Sequence, residues 1–171
     1  MRFLTALTVA LIVGGSFLAA QGTARQPLEG VWKVTEIVMT GADAATVSSP
    51  QPSQFIFAKT HYSMMYVPGN KPRSLSKAEN ATDDEKLAAY DSFAANTGTY
   101  EVMGSTLTIR PIVARNPNFM AGGFDKYQFR INGNTLLLTE KSSDLNLRVG
   151  QGVAPSKAPT SETRMTLVRV E

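Results

Sequence analysis

Gly30-Val31-Trp32-Lys33-Val34-Thr35-Glu36-Ile37-Val38-Met39 contains the only tryptophan in the chain. Its β-branched residues, Val31, Val34, Thr35, Ile37 and Val38, suit a pleated, half-buried strand. A glycine just ahead of a bulky aromatic is the arrangement expected where a strand enters the floor of a barrel. The segments on the C-terminal side of this stretch read as further strands, so the question it poses is how they close around Trp32.

Residues 54–58 and 61–67 are two strand-like runs separated by Lys59-Thr60, a tight hairpin. Pairing across it sets Phe57 opposite Tyr62 and Phe55 opposite Met64. One face then carries Phe55, Phe57, Tyr62, Met64 and Tyr66, and the other carries smaller groups. Residues 99–103 and 106–113 flank Gly104-Ser105, pairing Val102 with Leu107 and Tyr100 with Ile109, and Glu101 with Thr108 and Thr99 with Arg110 on the polar side. Residues 124–131 and 135–141 flank Asn132-Gly133-Asn134, the strongest short hairpin signal in the chain. Tyr127, Phe129 and Ile131 share a face with Leu136 and Leu138. Residues 145–149 fit a short strand and 164–170 a last one.

Two stretches interrupt the strands as loops: 41–53, with Pro50 and Pro52, and 150–161, with Pro155 and Pro159. A single helix is expected over 83–96. Thr82 and Glu85 form a capping box, Asp83 and Asp84 sit in the first turn, and Leu87, Tyr90, Phe93 and Ala94 recur at helical spacing with Gly98 as the stop. The expectation is therefore an all-β chain, an eight-stranded antiparallel up-and-down barrel with one short helix between the third and fourth strands. Closure removes the edges that an open sheet would leave. A two-sheet sandwich is the competing architecture.

Met1-Arg2, the apolar run 3–13 and the small residues that follow have the three parts of a secretory signal peptide, expected over 1–24 with cleavage between 20 and 25. The apolar run is about 11 residues against roughly 20 needed to span a bilayer. No later segment is long and apolar enough to span. The remaining residues, 25–171, make one domain, placed by the signal in the periplasm or outside the cell. Composition agrees, with 43% hydrophobic and 18% charged residues in the ordinary globular range. The net charge is +3 with no basic block, which argues against nucleic acid as a partner.

The absence of cysteine excludes disulfides, thiolate metal sites and a cysteine nucleophile. The single histidine, His61, excludes a metal site built on several imidazoles and sits at a hairpin tip, where an exposed turn residue is the simpler reading. No serine lies in a nucleophile-elbow motif, and Gly122-Gly123 and Gly150-Gln151-Gly152 open no helix, as a phosphate loop would require. No catalytic residue, metal or cofactor is expected. The aromatic and methionine face remains, and it serves equally as core or as the lining of a ligand cavity.

Gly30-Val31-Trp32 on the first strand, the eight-strand meander, and Arg169 within Thr166-Leu167-Val168-Arg169-Val170 resemble the lipocalin and wider calycin pattern. Residues 55–67 and 99–113 resemble bacterial lipocalin-like domain proteins, most of which have no assigned activity. The resemblance implies that Gly30, Trp32 and Arg169 form the barrel floor, with the arginine lying across the indole; Arg164 is the rival for that role. Two features depart from the family: the helix follows the third strand, and the common disulfide is absent. The Arg-x-Tyr carboxylate clamp of fatty-acid-binding relatives is also missing.

The leading functional expectation is an exported binder of a small apolar or amphipathic ligand. Phe55, Phe57, Tyr62, Met64, Tyr66, Tyr100, Arg110 and Phe129 are its contact residues, and Arg110 receives an anionic head group if its strand face lines the lumen. Two alternatives stand beside it: a calycin-type isomerase or cyclase acting on a lipid-like substrate, and an envelope module that docks a protein partner. A continuous apolar cavity of roughly 300 Å³ or more favours the first two. A filled interior with an exposed apolar patch favours the third.

Overall fold

β1 (Gly30–Gly41) begins at the floor and runs the height of a closed wall. The computed structural model describes residues 27–41, 44–74, 80–156 and 160–171; the expected signal peptide lies outside them. In chain order the strands are β1, β2 (Ala45–Val47), β3 (Ser53–Phe57), β4 (His61–Tyr66), β5 (Ala94–Met103), β6 (Thr106–Ala114), β7 (Asp125–Asn132), β8 (Thr135–Lys141), β9 (Asn146–Val149), β10 (Gly152–Pro155) and β11 (Ser161–Arg169). Helix α1 (Asp83–Asp91) lies between β4 and β5, and α2 (Pro117–Met120) between β6 and β7. The order β1-β3-β4-β5-β6-β7-β8-β11 returns to β1, which closes an antiparallel eight-stranded barrel. β2 adds to the outer part of β1, and β9 and β10 form a separate two-stranded ribbon tied to the start of β7 by an Asn146–Phe124 bridge.

The hairpin registers follow from the turns. Phe57 pairs with Tyr62 and Phe55 with Met64, and Tyr100 pairs with Ile109 and Val102 with Leu107. Asn132 faces Thr135, so Gly133-Asn134 is the two-residue loop. Gly133 adopts φ +55°, a conformation cheap only for glycine at the first central position of such a turn.

Alternation along these strands fills the barrel. Val34, Phe55, Phe57, Tyr62, Met64, Leu107, Ile109, Leu136, Leu138 and Leu167 are almost wholly buried. On β1 the alternation shifts once, at a bulge between Val34 and Glu36, so the buried face passes from Trp32 and Val34 to Ile37.

Several local expectations are corrected. The stretch 41–53 contains β2, whose Ile37–Val47 pairing with β1 allows Val47 to be buried. The helix therefore follows the fourth strand in chain order, not the third. It also ends at Asp91 instead of 96, because Ala94 to Asn96 extend the ladder against β4, and tertiary pairing overrides their helical spacing. Gly98 lies within β5, facing a bulge of β6 at Ile112, and does not stop the helix. Residues 145–149 contribute β9, which forms its ladder with β10 from the expected loop 150–161 and not with a barrel strand, touching the wall only through the Asn146–Phe124 bridge.

α1 buries none of its residues. It is held by its capping box, with the Glu85 amide donating to Thr82 Oγ1 at 3.3 Å and the Thr82 amide donating to Glu85 Oε2 at 2.9 Å, and by Tyr90, whose hydroxyl donates to the Arg115 carbonyl at 3.1 Å. A helix so placed opens without disturbing the core. Thr82→Ala is therefore expected to weaken α1 by about 1 kcal/mol, read as roughly fivefold faster amide exchange in α1, while the global unfolding midpoint holds. A matching loss of global stability would show that α1 is part of the cooperative unit.

Candidate functional site

The two ends of the barrel differ in chemistry. At the floor, the Trp32 indole is fully buried and donates to the Leu28 carbonyl at 2.9 Å. The Arg169 guanidinium lies 4.1 Å above the indole ring and donates to the carbonyls of Glu29 and Pro27. Gly30 has φ +143°, and a side chain there would meet Arg169. A cation over an indole, with its N–H groups on carbonyls, satisfies its charge within a closed end. Arg164 is exposed and pairs with Glu162 at 3.2 Å.

Between floor and mouth the interior is packed. Phe55, Phe57, Tyr62 and Met64 are buried within it, and Tyr100 meets Phe57 edge-on at 5.5 Å. Phe129 is half-buried opposite Leu138. Tyr66 stands at the mouth, 5.8 Å from the Phe55 ring. Arg110 is exposed on the outer wall, its guanidinium 5.3 Å from the Phe124 ring centroid. The polar strand face that carries it is thus the outside of the barrel, and Arg110 does not reach a ligand in the lumen.

The mouth holds two acids outside the expected set of contact residues. Asp125 is only 3% exposed and sits two positions before Tyr127 on the inward face of β7. Glu140 sits two positions beyond Leu138 on the inward face of β8, paired with Tyr127. Asp125 accepts from the Lys126 amide at 2.8 Å, and the Tyr127 and Glu140 side chains hydrogen-bond to it.

Burial is the main cause that pushes both acids up, Asp125 to about 7 and Glu140 to about 8; the mutual hydrogen bond lowers Asp125 and raises Glu140. The two carboxyls thus share a proton, as expected for a pair that cannot both ionise in a dry site. Asp144, in the turn after β8, adds repulsion to both. Tyr66 is pushed up to about 12 and Tyr127 well above its ordinary value, both chiefly by burial. The Tyr62 hydroxyl, buried and without a hydrogen-bond partner, feels the Asp125 charge.

A cavity of about 160 Å³ opens at this end, lined by Ile37, Met39, Val47, Tyr66, Pro68, Gly69, Glu140, Thr163 and Met165. Two larger hollows, about 410 and 360 Å³, lie on the outer wall and share Met65 and Phe93. No group of three or more acidic or imidazole side chains suited to a metal ion occurs among the described residues, and no described helix is long and apolar enough to cross a membrane.

Fold and site together define a closed eight-stranded antiparallel barrel, compatible with a calycin-like fold, with a cation–π floor and an acid pair at its mouth. Comparison with protein-family models and with curated proteins finds no match. The two acids carried a sequence signal all the same: each continues, at period two, an apolar face already recognised on its strand.

Proposed function

We propose that the protein is an exported binder of a small amphipathic molecule, held at the mouth of the barrel and not along its length. The observation that carries this reading is the mouth cavity, where Ile37, Met39, Val47 and Met165 supply an apolar wall and Tyr66, Thr163 and Glu140 supply polar groups on the same surface. Apolar lining with a few convergent polar groups is the usual composition of a small-molecule site. The volume is close to that of an apolar cavity of ~150 Å³ that accepts benzene, so the ligand body is about one ring in size. A long lipid chain does not fit the packed lumen below.

Benzyl alcohol tests this reading by chemical-shift titration. The expected shifts lie on Met39, Val47, Thr163 and Met165, and Val47→Trp, which fills the cavity from β2, is expected to weaken binding at least tenfold. Equal binding by both proteins would move the site away from the mouth.

The filled interior and the outer hollows around Met65 and Phe93 favour a second reading, a module that docks a protein partner on the wall. The exposed Met65, Ile112 and Val113 are the apolar groups such a partner would cover. The acid pair tips the balance toward the mouth, because a plain scaffold gains nothing from two carboxyls removed from water.

A further inference from the structure

We propose that the ligand of the mouth cavity is a cation, a small primary amine with an apolar body, whose ammonium group docks on the Glu140 carboxyl and displaces the proton that Glu140 shares with Asp125 behind it. This rests on the mouth-binding reading above and names the ligand class it did not. Three residues that carry acceptor oxygens, Glu140, Tyr66 and Thr163, line the same cavity as the apolar wall. An ammonium has three N–H donors and no acceptor, so its demands match that set. A carboxylate ligand would instead meet Glu140, with Asp125 behind it and Asp144 close by.

The charges around the pair come from several elements. Asp125 and Tyr127 lie on β7, Tyr62 and Tyr66 on β4, and Asp144 in the turn after β8. Arg115, just beyond β6, acts on Tyr66. Its guanidinium is committed elsewhere, donating to the Tyr90 carbonyl and lying 4.5 Å from the Tyr90 ring centroid. It therefore does not supply the counter-charge that the two carboxyls call for.

The exchange balances simply: the ammonium enters with its three protons, the shared proton leaves to solvent, and no covalent bond changes.

Calorimetry with benzylamine, benzyl alcohol and benzoate near pH 7, repeated in two buffers of different ionisation enthalpy, tests the assignment. Benzylamine is expected to bind at least tenfold more tightly than benzyl alcohol, with close to one proton released per amine bound, and benzoate is expected not to bind. In Glu140→Gln, which keeps the shape and cannot take the charge, the preference for the amine over benzyl alcohol should vanish.

Equal affinity for amine and alcohol, or amine binding without proton release in the wild-type protein, overturns the cation assignment and leaves mouth binding standing. An unchanged amine preference in Glu140→Gln does the same. Failure of both benzyl alcohol and benzylamine to bind the wild-type protein overturns both readings.

Discussion

Trp32→Ala is expected to destabilise the protein by about 3–5 kcal/mol, the cost of removing a large aromatic from a packed core. The indole is fully buried, bonded through its N–H to Leu28 and covered by Arg169, so truncation removes three interactions together. Because domains are stable by only about 5–15 kcal/mol, the variant should be compared with wild type by urea denaturation in the cold, where a folded baseline survives. Arg169→Met separates the parts: it keeps an apolar cover and loses the cation–π contact, worth about 0.5–2 kcal/mol, together with the bonds to the Pro27 and Glu29 carbonyls. A loss below about 1 kcal/mol for Trp32→Ala would contradict a load-sharing floor.

The second large effect concerns pH. Asp125 and Glu140 both have folded-state values raised above those of the unfolded chain, so the native state binds more protons than the unfolded state between about pH 4 and pH 8. Stability should therefore be greatest below about pH 4 to 5, as far as these two groups are concerned, and fall as pH rises through about 7 and 8. One retained proton corresponds to a slope of about 1.4 kcal/mol per pH unit. This sign is opposite to that of a salt-bridged carboxylate.

Urea midpoints measured from pH 5 to pH 8.5 should decline for wild type. For Glu140→Gln the decline should be shallower, since one of the two groups no longer titrates and Asp125 loses its charged neighbour. A wild-type midpoint that stays flat or rises across that range would mean that both acids ionise readily in the folded protein.

The hairpin registers were readable because glycine turns and period-two alternation act locally: Gly104-Ser105 and Lys59-Thr60 fix which residues face each other before any barrel closes. The course of 94–98 was not, because Phe93 and Ala94 satisfy a helical spacing and only the β4 edge, provided by a distant Tyr66–Ala94 pairing, draws the segment into a strand. β2 escaped notice for a related reason. It is three residues long, lies between prolines and small residues, and exists only as a partner for the upper part of β1.

For the site, the aromatic face was legible as an inward face, but composition says nothing about whether such a face encloses space. The structure shows it filling the barrel instead. The polar side of the β5–β6 hairpin, with Arg110, alternates as regularly as the apolar side, so pattern alone leaves open which of the two faces inward. Packing of Leu107 and Ile109, both fully buried, decides the matter in favour of the opposite face. Asp125 and Glu140 drew no attention because each stands at the end of an apolar run, where a polar residue ordinarily means that the strand has reached water.

The seam between β1 and β11 gives the barrel a clasp. Arg169 reaches the Glu29 carbonyl across 140 positions of sequence, and the Val31 amide donates to Glu171 at 3.0 Å, so the floor is assembled from the two ends of the wall. Every other neighbouring pair of wall strands zips from nearer in sequence, but the hoop stays open until its last strand is present. Contacts of such long sequence separation slow folding toward the millisecond-to-second range. A chain interrupted before β11 would therefore leave β1 and β8 as two unpaired edges on the same molecule, and open edges of this kind recruit other chains.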